Sequence, residues 1–419
     1  VADKKIGGFM IAQYNTSDCE NYGDLLYPIV LRELLRRRGV TAPIITTAFL
    51  SGPAPQAAGY TNQSIRRLLT RSAPGSTSLL IGGGDLIRTD GRALARHYTR
   101  LYERRRSRWL NSGGTDLAEE FAQQFFPAHR SDLKTSSAAI PETGPFLLDA
   151  RAYPAVRELF YLSCGVPFEF SAEEAPAVQA ALESAALVYL RDEPSRAKLK
   201  AAGVTRPIEV APDMVVTLGD LFSVDHLRAA GRAWMRVQGV DITRPIVCFQ
   251  SYPLDNYSAD LVIQQLKEFQ HHTGCEIVLL PVGHCHDDQQ FLRHIAHYGY
   301  GRFHYLEESS VRGMLSVLAG SDYVAATSLH ANITAFALGI PHLCCSSRMT
   351  KVAGFLDQVG LPESTLLVSW SKLAESLGAL SVIDRNLLQD LLEKAKRRVH
   401  DVLAPLATSL TESPAHRAA

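Results

Sequence analysis

The sequence predicts an α/β protein built from two doubly wound, Rossmann-like domains that face each other across a cleft. Three observations carry this expectation. The 419 residues exceed what one hydrophobic core of ordinary size organises. Short apolar runs alternate with segments of helical period along the chain, the pattern of parallel strands joined by crossover helices. The alternation lapses once, in a polar, apolar-poor stretch from about Asp220 to Arg244, and then restarts.

The elements follow in order. Strands are expected at Ile6 to Tyr14, Pro43 to Leu50, Ser78 to Gly82, Leu159 to Cys164, Ala186 to Leu190 and Ile208 to Val210, with helices including Leu25 to Arg38 and Ala175 to Ala185. After the lapse, strands are expected at Ile246 to Gln250, Glu276 to Pro281, Phe303 to Tyr305, Tyr323 to Thr327 and His342 to Cys345. The helices between them are Ala259 to His272, Asp287 to His297, Ser310 to Ala319 and Ala331 to Leu338. The domains are accordingly drawn as 1–225 on the acceptor side, 240–385 on the donor side, and 386–419 as a C-terminal helix and tail packed outside one domain. Two such domains make the arrangement called GT-B. The span from Arg92 to Pro154 is long enough for a functional loop and is placed over the cleft.

Composition excludes several classes of function. Apolar residues make up 46% and charged residues 21%, as in globular proteins. Basic and acidic residues both number 43, so no overall field draws nucleic acid or an anionic membrane to the surface. The basic run Arg104, Arg105, Arg106 and Arg108 reads as a solvated helix face. Seven cysteines without regular spacing argue against a disulfide framework and for a reducing compartment, and Cys344 with Cys345 reads as packing. No apolar run is long enough for a membrane span, and the first residues lack the apolar core of a signal peptide, so a soluble cytoplasmic protein is expected.

Ligands of parallel sheets bind beyond the carboxyl ends of the strands, and four places there carry polar residues in a telling arrangement. At Asn21, Tyr22, Gly23 and Asp24 a polar turn enters a helix. Asp24 reads most simply as its N-cap, the alternative being that Asn21, Gly23 and the free amides bind a substrate hydroxyl or phosphate. Gly82, Gly83, Gly84 and Asp85 allow close backbone approach but lack the spacing of a dinucleotide or P-loop fingerprint. Gly283, His284, Cys285, His286, Asp287 and Asp288 form a contiguous set whose members cannot all converge on one ion, so no metal is expected. The readings left are hydrogen bonding to an acceptor or phosphate from the start of the next helix, with His284 as the candidate contact, and a plain capping turn. Thr327, Ser328, Leu329, His330, Ala331 and Asn332 gather hydroxyls, an imidazole and free amides at a helix N-terminus, a natural seat for anionic oxygens, the alternative being that His330 is a structural cap of the helix.

Taken in order, these places resemble the polysaccharide pyruvyl transferase family. The likeness runs from about Gly8 to Gly360 and includes Asn21 to Asp24, Gly82 to Asp85, Arg191 and Asp192 with Ser195, Ala211 to Asp213, Gly283 to Phe291, Ser328 to Pro341 and Lys351 to Phe355. The resemblance implies transfer of a pyruvyl group from phosphoenolpyruvate, as co-substrate, to a saccharide or lipid-linked saccharide acceptor, with no other cofactor. It implies His330 as the general acid, with Arg191, Lys351, Ser328 and Asn332 holding the donor's anionic groups. Asn21, Gly23, Asp24, Gly83, Gly84, Asp85 and His284 fall to the acceptor or substrate side. One departure stands out: where many family members carry an arginine two residues before the histidine, this chain has Ser328, which removes a fixed charge and a bidentate donor. The competing readings are a glycosyltransferase using a nucleotide sugar and a catalytically silent sugar-binding protein.

Overall fold

A computed structural model of the chain describes residues 8–87, 144–308, 310–345, 350–367 and 369–411. Most of the span from Arg92 to Pro154, with the basic run at Arg104 to Arg108, lies outside the described residues.

Two sheets organise the molecule. The first contains β1 (Met10–Tyr14), β2 (Ile44–Ala48), β3 (Gly52–Pro53), β4 (Thr61–Ser64), β5 (Thr77–Gly84), β6 (Val156–Cys164), β7 (Leu187–Leu190) and β8 (Glu209–Val210), in the order β3-β4-β2-β1-β5-β6-β7-β8. Every pairing is parallel except β3 with β4. The second contains β9 (Ile246–Gln250), β10 (Glu276–Leu279), β11 (Phe303–Tyr305), β12 (Tyr323–Ala326) and β13 (His342–Cys344), in the parallel order β11-β10-β9-β12-β13.

Helices α1 (Tyr22–Arg37), α2 (Ile65–Arg71), α3 (Ala175–Glu183) and α4 (Glu193–Ala201) accompany the first sheet, and α5 (Val224–Val237) leads to the second. Helices α6 (Asn256–Thr273), α7 (Asp288–Tyr298), α8 (Val311–Gly320), α9 (Leu329–Ala337), α10 (Thr350–Val359) and α11 (Leu373–Ala379) follow. The last helix, α12 (Arg385–Thr411), has buried residues at Leu388, Leu392, Ala395, Val399, Leu403 and Leu406, the three-and-four spacing of one apolar stripe.

The strands β1, β5, β9 and β10 are buried on both faces throughout their length. One apolar cluster covers the outer face of each sheet, while a third unites both halves through α1, the turn Met214–Thr217, α8, α9 and α12. Helix α12 does not stay with the second sheet. Arg398 donates to the Val210 carbonyl at 2.9 Å, Lys396 pairs with Asp220 at 2.6 Å, and Ser409 donates to Glu158 at 2.9 Å.

The stretch read as a polar lapse is instead largely helical. Helix α5 buries Leu227, Gly231 and Met235 at intervals of four against α8. A Cβ on Gly231 would fall on the Ser316 carbonyl, within 2.5 Å of its carbon, so the contact is backbone against backbone and needs few large apolar side chains.

Candidate active site

Both sheets reverse their order beside their first strand: β1 sits between β2 and β5, and β9 between β10 and β12. The loops leaving these strands therefore diverge at a topological switch point, where open α/β sheets bind ligands. The two switch points open on one shared cavity of about 680 Å³, a volume typical of small-molecule sites. Thr16, Cys19, Asn21 and Asp24 come from the first loop, Gly84, Asp85 and Leu86 from the end of β5, and Arg191 from the end of β7. Gln250, Tyr252 and Pro253 follow β9, Gly283, Cys285, His286 and Asp288 follow β10, Thr327 to His330 follow β12, and Lys351 comes from α10.

A backbone contact closes the floor. Asn21 and Gly283 form an isolated antiparallel bridge, Tyr22 N donates to Val282 O at 2.9 Å, and Cys285 N donates to Glu20 O at 3.1 Å. Tyr22 and Thr334 add a hydroxyl pair at 3.1 Å between α1 and α9.

The first motif is arranged differently from the expected cap. Asn21, not Asp24, is the N-cap of α1, and its side chain accepts from Gly23 N at 3.2 Å. Gly23 thus offers no free amide and does not line the cavity. Its missing Cβ leaves room for His330, because a Cβ there would fall within 2.6 Å of three atoms of the imidazole. Asp24 turns into the cavity, where burial, partly offset by a hydrogen bond from Thr16 and by Lys351, pushes its carboxyl up to about 7.

In the glycine run, Gly82 and Gly83 accommodate the ring of Tyr27, whose hydroxyl donates to Leu162 O at 2.9 Å. Gly83 does not reach the cavity. Gly84, at φ +142°, lines it and delivers Asp85 to it. Asp85 pairs closely with Arg191 and lies 3.6 Å from Lys351 Nζ. Desolvation would raise the Asp85 carboxyl, but Arg191 and then Lys351 outweigh it and hold it below its ordinary value. Arg191 is buried and also faces Asp192 at 3.8 Å.

His330 is buried in the first turn of α9, with Nε2 3.8 Å from Asp213 Oδ2. Neither of these two atoms has a hydrogen-bond partner. Burial, then the charges of Arg191 and Lys351, push the imidazole down to about 3, so it is neutral near pH 7. Asp213 is placed by its own turn, accepting from Val215 N at 3.0 Å, and burial raises its carboxyl.

Two expected contacts are absent. Asn332 is fully buried and donates Nδ2 to the Ala326 and Ser328 carbonyls, both at 2.9 Å, so it braces the strand-to-helix turn, while its Oδ1 has no hydrogen-bond partner and the residue does not line the cavity. His284 is buried outside the cavity lining beside Gln289, at 3.2 Å; its neighbours Cys285 and His286 face the cavity in its place. Ser328 does line the cavity, while its hydroxyl caps α9 by accepting from Ala331 N at 3.4 Å.

Gln250 escaped the sequence reading. Its Nε2 donates to Asp288 at 2.6 Å and its Oε1 accepts from Ser328 N at 2.8 Å, tying three strand ends together. Asp288, pushed up to about 6 by burial against the opposing hydrogen bonds of Gln250 and the Gly283 amide, accepts both. The signal was available, since Gln250 is the polar residue ending an apolar run. All seven cysteines are free, and among the described residues no group of three His, Cys, Asp or Glu is placed to hold a metal ion. No described helix is long and apolar enough to cross a membrane.

Two doubly wound sheets, parallel apart from the β3–β4 edge, with a ligand-sized cavity at their switch points define the GT-B class of fold. The architecture is similar to Anabaena HepE in complex with UDP and glucose, at 14% identity over 96% of this chain and 99% of that chain, with a TM-score of 0.51. It is also similar to UDP-GlcNAc 2-epimerase from Neisseria meningitidis bound to UDP-GlcNAc, at 11% identity over 97% and 100%, with a TM-score of 0.50. At such identities the likeness concerns the fold alone. No curated protein matches the chain. The polysaccharide pyruvyl transferase family profile matches residues 21–348, and the chain belongs to that family of transferases.

Proposed function

We propose that this protein transfers a pyruvyl group from phosphoenolpyruvate to a saccharide diol, forming a ketal and releasing phosphate. The observation that carries the proposal is the meeting, in one cavity, of two cations, Arg191 and Lys351, with the Asp24 carboxyl, which burial raises to about 7, and the His330 imidazole, which burial lowers to about 3. Forming the ketal requires all three functions, a clamp for the donor's anionic groups, an acid for the methylene carbon and a base for the attacking hydroxyl.

The raised Asp24 carboxyl and the lowered His330 imidazole support a division of roles between acid and base. Asp24 delivers its proton to the methylene carbon as the first acceptor hydroxyl adds to the neighbouring carbon. His330, neutral near pH 7, takes the hydroxyl proton. This reverses the acid role that position in the motif suggests for His330. The resulting imidazolium then protonates the bridging oxygen as phosphate departs, and the second hydroxyl closes the ketal while its proton returns to Asp24. Asp213, opposite Nε2, positions the ring and supports its transient charge.

A second reading, glycosyl transfer from a nucleotide sugar, draws support from Ser328 in place of an arginine and from Tyr252, an aromatic ring 37% exposed at the cavity wall. The experiment that separates them is turnover. Phosphate released from phosphoenolpyruvate only when a saccharide is present, and lowered roughly 10²-fold or more in Asp24→Asn and His330→Gln, supports pyruvyl transfer. UDP released from a UDP-sugar, with phosphoenolpyruvate inert, supports the other.

A further inference from the structure

The Arg191 and Lys351 side chains converge on a third group, and that group is the protein's own. Asp85 places one carboxylate oxygen on the Arg191 guanidinium and the other 3.6 Å from Lys351 Nζ. The backbone is shaped for this arrangement. Gly84, at φ +142°, turns the chain out of β5 toward the cavity. Gly165 lies beneath the ion pair, and a Cβ there would fall 2.7 Å from Arg191 Nη2 and closer still to Asp85. The carboxylate keeps 31% of its surface open, whereas Arg191 keeps only 5%. The guanidinium is fixed and the carboxylate is the partner facing the cavity.

A carboxylate spanning two cations occupies the position that an incoming oxyanion needs. We propose that Asp85 is a built-in competitor for the anion site of Arg191 and Lys351, so that a bound phosphate group must displace it and its return helps to expel phosphate after transfer. The exchange leaves neither charge stranded. Arg191 retains Asp192 at 3.8 Å and the nearby charge of Asp213, and Asp85 swings toward the open cavity. The inference rests on the proposed reaction for the identity of the occupant, but its test does not use turnover.

Calorimetric titration of the full chain with inorganic phosphate tests it. Asp85→Asn removes the competing charge while keeping the side chain's shape, and phosphate should bind it at least about tenfold more tightly than wild type. Lys351→Met should weaken binding. Phosphate affinity that is unchanged or lower in Asp85→Asn would show that Asp85 braces Arg191 for the ligand and would overturn the proposal. Asp85→Ser, which also removes the charge, supplies the same comparison if the asparagine variant does not fold. The two readings fail separately. Tighter phosphate binding without phosphoenolpyruvate turnover leaves the competitor standing and the pyruvyl transfer wrong, whereas unchanged binding in an active pyruvyl transferase does the reverse.

Discussion

Gly23 owes its place to a side chain far along the sequence. Its missing Cβ admits the His330 imidazole, which is buried and has little room to retreat. Gly23→Ala should therefore push the ring off its position and cut turnover by tenfold or more, since displacements of about 1 Å at a reacting group cost as much as 10². Near-native turnover in a folded Gly23→Ala variant would separate His330 from the chemistry. The charge states yield a pH profile with a defined sign. Asp24 must carry a proton to act, so kcat/KM should fall as pH rises through about 7, where its carboxyl ionises. His330 must be neutral to accept a proton, so its loss of activity lies far below, toward about pH 3. A kcat/KM flat across neutrality would remove Asp24 from the acid role. Sequence motifs brought these residues to attention, but burial decides which of them holds a proton. Asn332 and His284 show the same limit: residue type and spacing suggested ligand contacts, while the folded chain sets Asn332 Nδ2 on neighbouring carbonyls and His284 beside Gln289, both off the cavity wall.

At the scale of elements, β9 and β12 were readable because their apolar runs end at Gln250 and Thr327. The expected strand Ile246 to Gln250 coincides with β9, and Phe303 to Tyr305 with β11. Helix α5 was missed because Ala229, Ala230 and Gly231 give it little apolar weight, although Leu227, Gly231 and Met235 mark one face at helical spacing. The same holds for β3 and β4, which are too short and polar to show a period. Gly231→Ala should destabilise the fold by about 1–3 kcal/mol, the usual cost of forcing extra volume into a packed contact. Chemical denaturation measures this, and a midpoint equal to wild type would show that α5 and α8 can part without cost.

On the scale of the whole molecule, the alternation of strands and helices indicated two doubly wound halves, but strand order and facing are properties of the folded chain. The order places β1 and β9 beside their reversals, and the bridge of Asn21 to Gly283 brings both switch points onto one cavity. The cations, Asp24 and His330 supply the proposed chemistry without a metal ion, so turnover should survive exhaustive chelation; loss of activity restored only by one divalent ion would contradict that. The central claim is that this cavity is built for phosphoenolpyruvate. Its most direct test is the melting temperature of the full chain with phosphoenolpyruvate, UDP or a UDP-sugar, because a ligand bound only by the folded state raises it. Phosphoenolpyruvate should raise it, the rise should be lost in Arg191→Gln, and the uridine nucleotides should leave it unchanged. A rise with UDP and UDP-sugars alone would contradict the claim.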